Sequence, residues 1–335
     1  MIETVLGAVD PSRWGATSFH DHVLADSSRL QRPGTPPGPT SEHVTIEDLG
    51  YLRWNVLALG DNLRLDDAQL AVTELARAVA AGLTGLVEAS SWGLGPRHAG
   101  LPDISRRSGM QIVCSYGAYI PRTHPESIAT MDEKRLEALF IEALQVAVPG
   151  TDFRAGLLGI MGTTGDLAAR ELEMLRAAAR AASVSGAAMT VRLEETARRG
   201  LDVLRVIEAE GLPASRVVFT NADEYMDAPY WDELTAAGAV LEMCFGTEAI
   251  HRGRIDNPSD HERLPFFVDF LATHPTARFT LGQSVWTKAQ LRRYGGYGYA
   301  HLMSTIVPEL RSRGVPADRM QAMLVDEPRR LLDRG

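Results

Sequence analysis

The sequence predicts a single-domain α/β protein, a (β/α)8 TIM barrel, and three observations lead to that fold. The chain has 335 residues, which is long for an ordinary domain and normal for an elaborated barrel. Short apolar segments alternate with longer amphipathic segments from residue 84 to the end. This alternation indicates parallel strands joined by right-handed helical crossovers, and eight such units favour a closed barrel over an open sheet.

The predicted strands and helices follow one another in a regular order. The strands cover residues 16–20, 84–89, 111–116, 156–161, 188–193, 216–221, 239–244 and 278–284. Helical patterns between them include residues 66–81, 132–148, 168–185, 200–210 and 261–274. Asp132 is expected to cap a helix, Gly186 and Gly211 follow helical runs, and Pro328 stands in the first turn of the last helix.

A stretch rich in proline and glycine follows the first predicted strand. Residues 31–45 contain the string RPGTPPGP, which continues neither a helix nor a strand. Because the preceding strand belongs to the barrel, we predict a loop inserted over the barrel mouth. We expect one domain over residues 1–335.

Composition limits the classes of partner. The net charge of −9 argues against a surface for nucleic acid. Cys114 and Cys244 are the two cysteines, far apart in sequence, which argues for reduced thiols rather than a disulfide framework. The N-terminus lacks the pattern of a signal peptide, and no apolar stretch is long enough to span a bilayer. We therefore expect a cytoplasmic protein that acts on a small molecule, without nucleic acid or membrane as partner.

Polar residues stand at the carboxyl ends of the predicted strands, where barrels of this kind place their active sites. They are His20, His22, Glu88, Arg192, Asn221, Asp223, Glu242, Gln283 and Ser284. Taken singly, each is an ordinary residue for a solvated strand end. The pair in His20-Asp21-His22 differs, because alternate residues of a strand face one side and would aim two imidazole rings at one point.

Five blocks of sequence match one known family. They are GATSFHDH at 15–22, RAGLLG at 154–159, SRVV at 215–218, LRRYGGYGY at 291–299 and DEPRRLL at 326–332. Together they resemble the phosphotriesterase-related family of the amidohydrolase superfamily over nearly the whole chain. The resemblance implies a (β/α)8 barrel whose usual members hold two divalent metals that activate a bridging hydroxide to hydrolyse esters or lactones. A homodimer is an expectation from the resemblance alone.

The resemblance also implies six metal-ligand positions, of which this chain keeps two. The first-strand pair remains as His20 and His22, whereas Ile160 replaces the bridging carboxylate, Arg192 and Asn221 replace two histidines, and Ser284 replaces an aspartate. The lost carboxylates would have offset two dications, and Arg192 adds a permanent positive charge. We therefore predict no binuclear centre and no cofactor. The alternative is one divalent ion, such as zinc, held by His20, His22 and Asp223.

Three functions remain open at this point. The first is an enzyme that acts on a small anionic or carbonyl-containing molecule by metal-independent acid–base chemistry, in elimination, isomerisation, cyclisation or hydrolysis, with a role in specialised metabolism. Its predicted catalytic residues are His20, His22 and Arg192, and its predicted substrate-binding residues are Glu88, Asn221, Asp223, Gln283, Ser284 and Trp286. The second is a mononuclear metal-dependent ester or lactone hydrolase, and the third is a non-catalytic binding protein.

Arg192 itself has two readings. A buried guanidinium needs a partner, so Arg192 either binds an anionic substrate group or forms a structural ion pair. Asp223, Glu88 and Glu194 are the predicted partners for the second reading.

Overall fold

A computed structural model describes residues 1–194 and 196–335, and it confirms the predicted (β/α)8 barrel. The barrel strands are β1 (Thr17–Asp21), β2 (Gly85–Glu88), β3 (Gln111–Tyr116), β4 (Leu157–Gly162), β5 (Met189–Arg192), β6 (Val217–Thr220), β7 (Val240–Cys244) and β8 (Phe279–Gly282). Strands that are consecutive in this order pair in parallel. Short antiparallel pairs lie outside the barrel, at Ile2–Thr4 with Gly7–Val9, Ala25–Asp26 with Arg64–Leu65, and Ile250–His251 with Ile255–Asp256.

The first and last strands meet through backbone hydrogen bonds at their carboxyl ends. The amides of Gln283 and Ser284 donate to the carbonyl of His20, at 3.2 and 2.7 Å, and the amide of His22 donates to the carbonyl of Val285 at 3.0 Å. Gly282 permits this approach, because a Cβ atom there would lie 3.1 Å from the backbone nitrogen of His20. The barrel is therefore closed at the histidine pair.

Helices cover the outside of the barrel close to their predicted bounds. The principal ones are Leu49–Trp54, Ala68–Ala80, Leu101–Ser108, Glu133–Gln145, Ala169–Ser185, Gly200–Ala209, Ala228–Ala236, Asp260–Thr273, Val307–Ser312, Ala317–Gln321 and Glu327–Leu332. The Asp132 carboxylate accepts the backbone N–H of Arg135 at 2.9 Å, and Gly186 ends its helix with a φ of 63°, as expected for these positions. None of the described helices combines the length and apolarity needed to cross a bilayer.

A layer of buried apolar side chains from successive strands forms an inner core. It includes Phe19, Val87, Val113, Leu157, Val218 and Val240, with Ile2 and the C-terminal pair Leu331 and Leu332 packed into the same cluster. Each of these side chains is at most 1% exposed. The barrel interior is thus solid below the site, as in other barrels of eight strands.

Three long loops lie on the carboxyl side of the barrel, and the first of them contacts the other two. We call them the β1 loop (22–67), the β3 loop (117–132) and the β7 loop (245–259). The Arg29 guanidinium of the β1 loop donates to the carbonyl of His124 in the β3 loop at 3.1 Å. The amide of Val56 in the β1 loop donates to the carbonyl of Ile250 in the β7 loop at 3.0 Å. Residues 31–45, predicted as an inserted loop, form turns and irregular chain within the β1 loop.

A buried arginine joins two further elements near the end of β7. Arg263 is 0% exposed, and its Nε and Nη1 atoms lie 2.7 Å from Asp223 and 3.2 Å from Asp260. Its Nη2 donates to the hydroxyl of Thr247 at 2.8 Å, and the other carboxylate oxygen of Asp223 accepts the backbone N–H of Cys244 at 2.7 Å. Arg263 therefore compensates the buried charge of Asp223.

We predict that Arg263→Met lowers the free energy of unfolding by about 3 to 5 kcal/mol, because it leaves a buried carboxylate without its cation. Urea unfolding followed by circular dichroism measures the loss. The matched control is Arg205→Met, since the Arg205 side chain is 72% exposed and pairs with Asp202 on a helix surface. That control should change stability by less than about 1 kcal/mol, and equal effects of the two variants would contradict the prediction.

Candidate functional site

The two histidines at the end of β1 bring their rings together. Their Nε2 atoms lie 3.4 Å apart, and the ring planes meet at 68°. Both residues are buried, with exposures of 1% for His20 and 4% for His22. The pairing of β1 with β2 shifts register between Ser18 and Asp21, so the strand is irregular just where it enters the site. Because the two Nε2 atoms lie so close to each other, one ligand atom could contact both of them.

A buried carboxyl group on β7 contacts the other nitrogen of His20. Glu242 Oε2 lies 3.1 Å from His20 Nδ1, and Cys244 Sγ lies 3.8 Å from the same nitrogen. Burial raises the pKa of Glu242 well above its usual range. Burial, and then the positive charge of Arg192, lowers the pKa of His20 to about 3. Both shifts favour the uncharged form of the pair, in which a Glu242 proton is donated to Nδ1 and the His20 proton lies on Nε2.

A second buried carboxyl group supports His22 through a serine. His22 Nδ1 lies 2.9 Å from the Ser90 hydroxyl, which donates to Glu88 Oε1 at 2.5 Å. Burial raises the pKa of Glu88 to about 8, and hydrogen bonds from Ser90 and from the backbone amide of Val23 oppose that rise. Glu88 is ionised mainly above pH 8, and in that form it accepts the Ser90 hydroxyl while His22 Nδ1–H donates to Ser90. The lone pair of His22 then lies on Nε2.

These contacts form one continuous chain of hydrogen bonds from Glu242 to Glu88. With Glu88 ionised, every donor along the chain has an acceptor, and His20 Nε2–H donates to His22 Nε2. When a water or substrate atom replaces this hydrogen bond, the two imidazoles present one donor and one acceptor at adjacent positions. Such a pair can supply a general acid and a general base to the same substrate.

A cavity of about 650 Å³ opens above the histidines. All six positions carried over from the family's metal ligands line it, namely His20, His22, Ile160, Arg192, Asn221 and Ser284. Trp286, predicted to contact substrate, lines it as well. The six positions that correspond to the family's metal ligands therefore belong to one site.

The residues at those positions do not fit two divalent metals. Ile160 places an aliphatic side chain where the bridging carboxylate would stand, and Arg192 places a cation beside it. Asn221 and Ser284 are neutral and are weak ligands compared with imidazole or carboxylate. Two dications at this site would lack the negative charge that holds them in usual members of the family.

Two of the substituted positions have an uncommon backbone conformation. Asn221 and Ser284 have φ angles of 54° and 46°, in the left-handed region. Asparagine tolerates this region, whereas serine rarely adopts it. Strained backbone conformations of this kind are frequent at binding sites. The Asn221 Oδ1 atom is also buried without a hydrogen-bond partner among the described residues. Both side chains thus face the cavity from strained positions.

Arg192 forms an ion pair, but not with any of the predicted partners. Its Nη2 contacts the Glu224 carboxylate, and its Nη1 donates to the carbonyl of Leu193 at 2.7 Å. The prediction of Asp223, Glu88 or Glu194 was wrong because each has other partners: Arg263 for Asp223, Ser90 for Glu88, and Thr196 with the backbone of Ala197 for Glu194. Arg192 remains at the cavity wall, with a side chain 21% exposed.

Two predicted substrate-binding residues are placed behind the cavity wall instead of on it. Glu88 is 0% exposed and supports His22 through Ser90. Gln283 is 1% exposed, accepts the amide of Leu302 at 2.9 Å and donates to the carbonyl of Tyr299 at 2.9 Å. Burial and these local hydrogen bonds, rather than substrate, satisfy their polar groups. Both are better described as residues that support the site.

Asp223, predicted as a substrate contact and as the third ligand of a single ion, is held by Arg263 and by the backbone of Cys244. Its position therefore corrects both predictions. Within the described ranges a different trio converges, because donor atoms of His20, Glu242 and Cys244 lie within 4.8 Å of one another. Burial raises the pKa values of Glu242 and Cys244 well above their usual ranges, which opposes the deprotonated forms that a metal needs.

The sequence analysis missed Ser90 and Glu224 and gave Glu242 no role. Ser90 follows β2 by two residues and Glu224 lies in the turn after β6, so their strand-end positions were a usable signal. Which side chain each would meet depends on loop geometry that a single sequence does not reveal.

We predict that protein purified without a polyhistidine tag contains at most one equivalent of divalent metal. The reason is the missing negative charge at Ile160 and Ser284 together with the added charge of Arg192. Elemental analysis by mass spectrometry, after growth with added zinc, iron or manganese, measures the content. Two bound equivalents would contradict this assignment of the donor set.

Comparisons with known proteins agree with this architecture. The model of the phosphotriesterase family matches residues 1–332. N-acetyltaurine hydrolases from Danio rerio and Homo sapiens are 27% and 26% identical, and each alignment covers 99% of this chain and 97% of the relative. These names of hydrolases support an enzymatic function for the chain and leave its reaction class open.

Two solved structures are similar over almost the whole chain. A resiniferatoxin-binding protein from Rhodobacter sphaeroides is 31% identical with a TM-score of 0.93, over 99% of this chain and 94% of that one. A lactonase from Listeria monocytogenes is 19% identical with a TM-score of 0.79, over 100% and 99%, and shows the shared fold alone. With the barrel, the first-strand histidine pair and the full-length match in place, the chain belongs to the phosphotriesterase family.

Proposed function

We propose that this chain is a cytoplasmic enzyme that hydrolyses a small organic carbonyl compound with an anionic group, by acid–base catalysis and without a binuclear metal centre. The observation that carries the proposal is the histidine pair, whose Nε2 atoms lie 3.4 Å apart in a large cavity. Each ring is held at Nδ1 by a buried hydrogen-bonding group. Such support orients imidazoles for proton transfer.

The two imidazoles have complementary roles in this proposal. His22 Nε2 accepts a proton from the attacking water. His20 donates its Nε2 proton to the leaving group and takes up the Glu242 proton at Nδ1, so that its ring stays neutral. Arg192, held by Glu224, stabilises negative charge that develops on the carbonyl oxygen. Elimination, isomerisation and cyclisation could use the same pair, but the names of the curated relatives favour hydrolysis. We place the reaction in specialised metabolism, because so altered a ligand set suits a substrate unlike those of the usual members.

A single divalent ion is the second candidate, and one distance favours it. The two Nε2 atoms lie 3.4 Å apart, so both could bind one ion. His20 and His22 would hold that ion, each oriented from Nδ1 as metal-ligating histidines usually are. When bound, the ion would supply Lewis-acid activation of a carbonyl or of water. Asn221 Oδ1 is a neutral candidate for a third contact.

A binding protein without catalysis is the third candidate. The name of the Rhodobacter relative favours it. The two histidines nevertheless line an open cavity and are each supported at Nδ1, an arrangement that simple retention of a ligand does not require.

We predict that His22→Gln reduces kcat at least about 100-fold, because it removes the proton acceptor. N-acetyltaurine is the first probe, since it carries a carbonyl and an anionic group, followed by N-acetylated amino acids and lactones. Release of the amine or of the hydroxy acid measures turnover. We expect Arg192→Met to raise KM or abolish turnover.

The control for this experiment is His274→Gln, because His274 stacks on Phe270 at a helix end and does not line the cavity. The enzyme is assayed before and after dialysis against a chelator. Activity that survives in His22→Gln would reject acid–base catalysis by this pair. Activity that chelation abolishes and one equivalent of zinc restores would favour the second candidate.

A further inference from the structure

Three arginines from three different loops face the same cavity. Arg32 belongs to the β1 loop, Arg122 to the β3 loop and Arg254 to the β7 loop, and all three line the cavity. The Arg32 guanidinium donates to the carbonyl of Gln31 at 2.7 Å. Among residues 1–194 and 196–335, no carboxylate lies within 4.0 Å of any of these three guanidinium groups. We call them the arginine rim.

The arginine rim collects positive charge in an acidic protein. The chain has 43 acidic and 34 basic residues, so three arginines that converge on one cavity run against its average composition. Glu194, Glu224 and Asp256 also line this cavity, and Glu224 pairs with Arg192. Burial, followed by the charges of Arg32 and Arg254, lowers the pKa of Arg122, which places the three groups within electrostatic reach of one another. Like charges that converge on a cavity repel one another and attract an anion.

The loops that carry the arginine rim are fixed to one another. Arg29 of the β1 loop donates to the carbonyls of Thr123 and His124, beside Arg122, at 3.3 and 3.1 Å. The amide of Leu57, also in the β1 loop, lies 3.3 Å from His251 Nδ1, three residues before Arg254. The positions of the three backbones are thus set before a ligand arrives, which lowers the entropy cost of binding.

Apolar side chains lie along the same cavity. Leu30, Leu57, Ile120, Ile255 and Trp286 line it together with the histidine pair and the arginine rim. The cavity of about 650 Å³ has the size of sites that enclose drug-sized molecules. Its lining fits a molecule with an apolar body and one strongly anionic end.

We infer that the arginine rim binds the carboxylate, sulfonate or phosphate group of an amphipathic substrate whose carbonyl group reaches His20 and His22. The position of the reacting carbonyl rests on the proposed function, whereas binding of the anionic end does not. Guanidinium groups suit this task because they form paired, charge-assisted hydrogen bonds with planar or tetrahedral oxyanions. Specificity for the anion is thereby separated in space from the reacting groups.

Isothermal titration calorimetry on the full chain tests this inference with four probes that share an apolar body. They are phenylbutyrate, phenylbutanesulfonate, phenylbutyl phosphate and the neutral phenylbutanol. We expect the best anion to bind about tenfold more tightly than the alcohol, with an advantage that shrinks as salt increases. The ranking of the three anions identifies the preferred head group.

Single variants locate the interaction. Arg32→Gln, Arg122→Gln and Arg254→Gln should each weaken anion binding about three- to tenfold and leave binding of the alcohol unchanged. The matched control is Arg252→Gln, because Arg252 is an exposed arginine of the same β7 loop that does not line the cavity. Equal affinity for alcohol and anions, or an equal loss with Arg252→Gln, overturns the inference.

His22→Gln separates this inference from the proposed function. We expect the variant to keep its affinity for the anions, because the arginine rim is intact. If His22→Gln binds anions and still turns over substrate, the proposed function fails and the arginine rim stands. If anion binding is lost in His22→Gln while the rim variants bind normally, the anion occupies the histidine pair and the inference fails.

Discussion

The backbone carbonyl of His20 accepts two hydrogen bonds, from the amides of Gln283 and Ser284, and these bonds join the first strand to the last. The same residue supplies one of the two imidazoles of the site. The hydrogen bonds that close the barrel therefore also position the residue that carries this ring. Position 284 is held in the cavity wall by its backbone, whatever its side chain is. Gly282 permits this junction, because a Cβ atom at that position would crowd the backbone of His20.

Around this junction the protein keeps most charge paired or neutral. Glu242 and Glu88 are buried, and burial raises the pKa of each carboxyl group. Arg192 is balanced by Glu224. Hydrogen bonds between buried groups thus connect the two histidines to Glu242 and Glu88. Donors and acceptors in such fixed positions suit a substrate that brings its own charge.

The sequence predicted what depends on local pattern. Alternating apolar and amphipathic segments located all eight strands, and the spacing of His20 and His22 predicted converging rings even though the pairing of β1 is irregular. Alignment to the family located six wall positions, since strand ends keep their places in a barrel. Partners across space were harder to predict. Asp223 was expected at the ligand site, yet Arg263, which lies on a helix forty residues later, holds it away.

The arginine rim could not be predicted for a related reason. Arg32, Arg122 and Arg254 stand in three loops far apart in sequence, and none belongs to a recognisable motif. Their convergence depends on how the long β1 loop folds across the barrel mouth. This loop has no strand or helix periodicity, so its fold cannot be read from a simple sequence pattern.

The hydrogen bonds that connect the β1, β3 and β7 loops have a consequence for how such a barrel diversifies. In many barrels each loop can be exchanged separately, which lets selectivity change by small independent steps. Here the Arg29 guanidinium bonds the β1 loop to the β3 loop, and the Val56 amide bonds it to the β7 loop. Grafting the β1 loop alone would break contacts to both other loops, and grafting either of the others would break its contacts to the β1 loop, so the transferable unit is all three loops together. Natural variants with new selectivity should accordingly differ in all three segments at once.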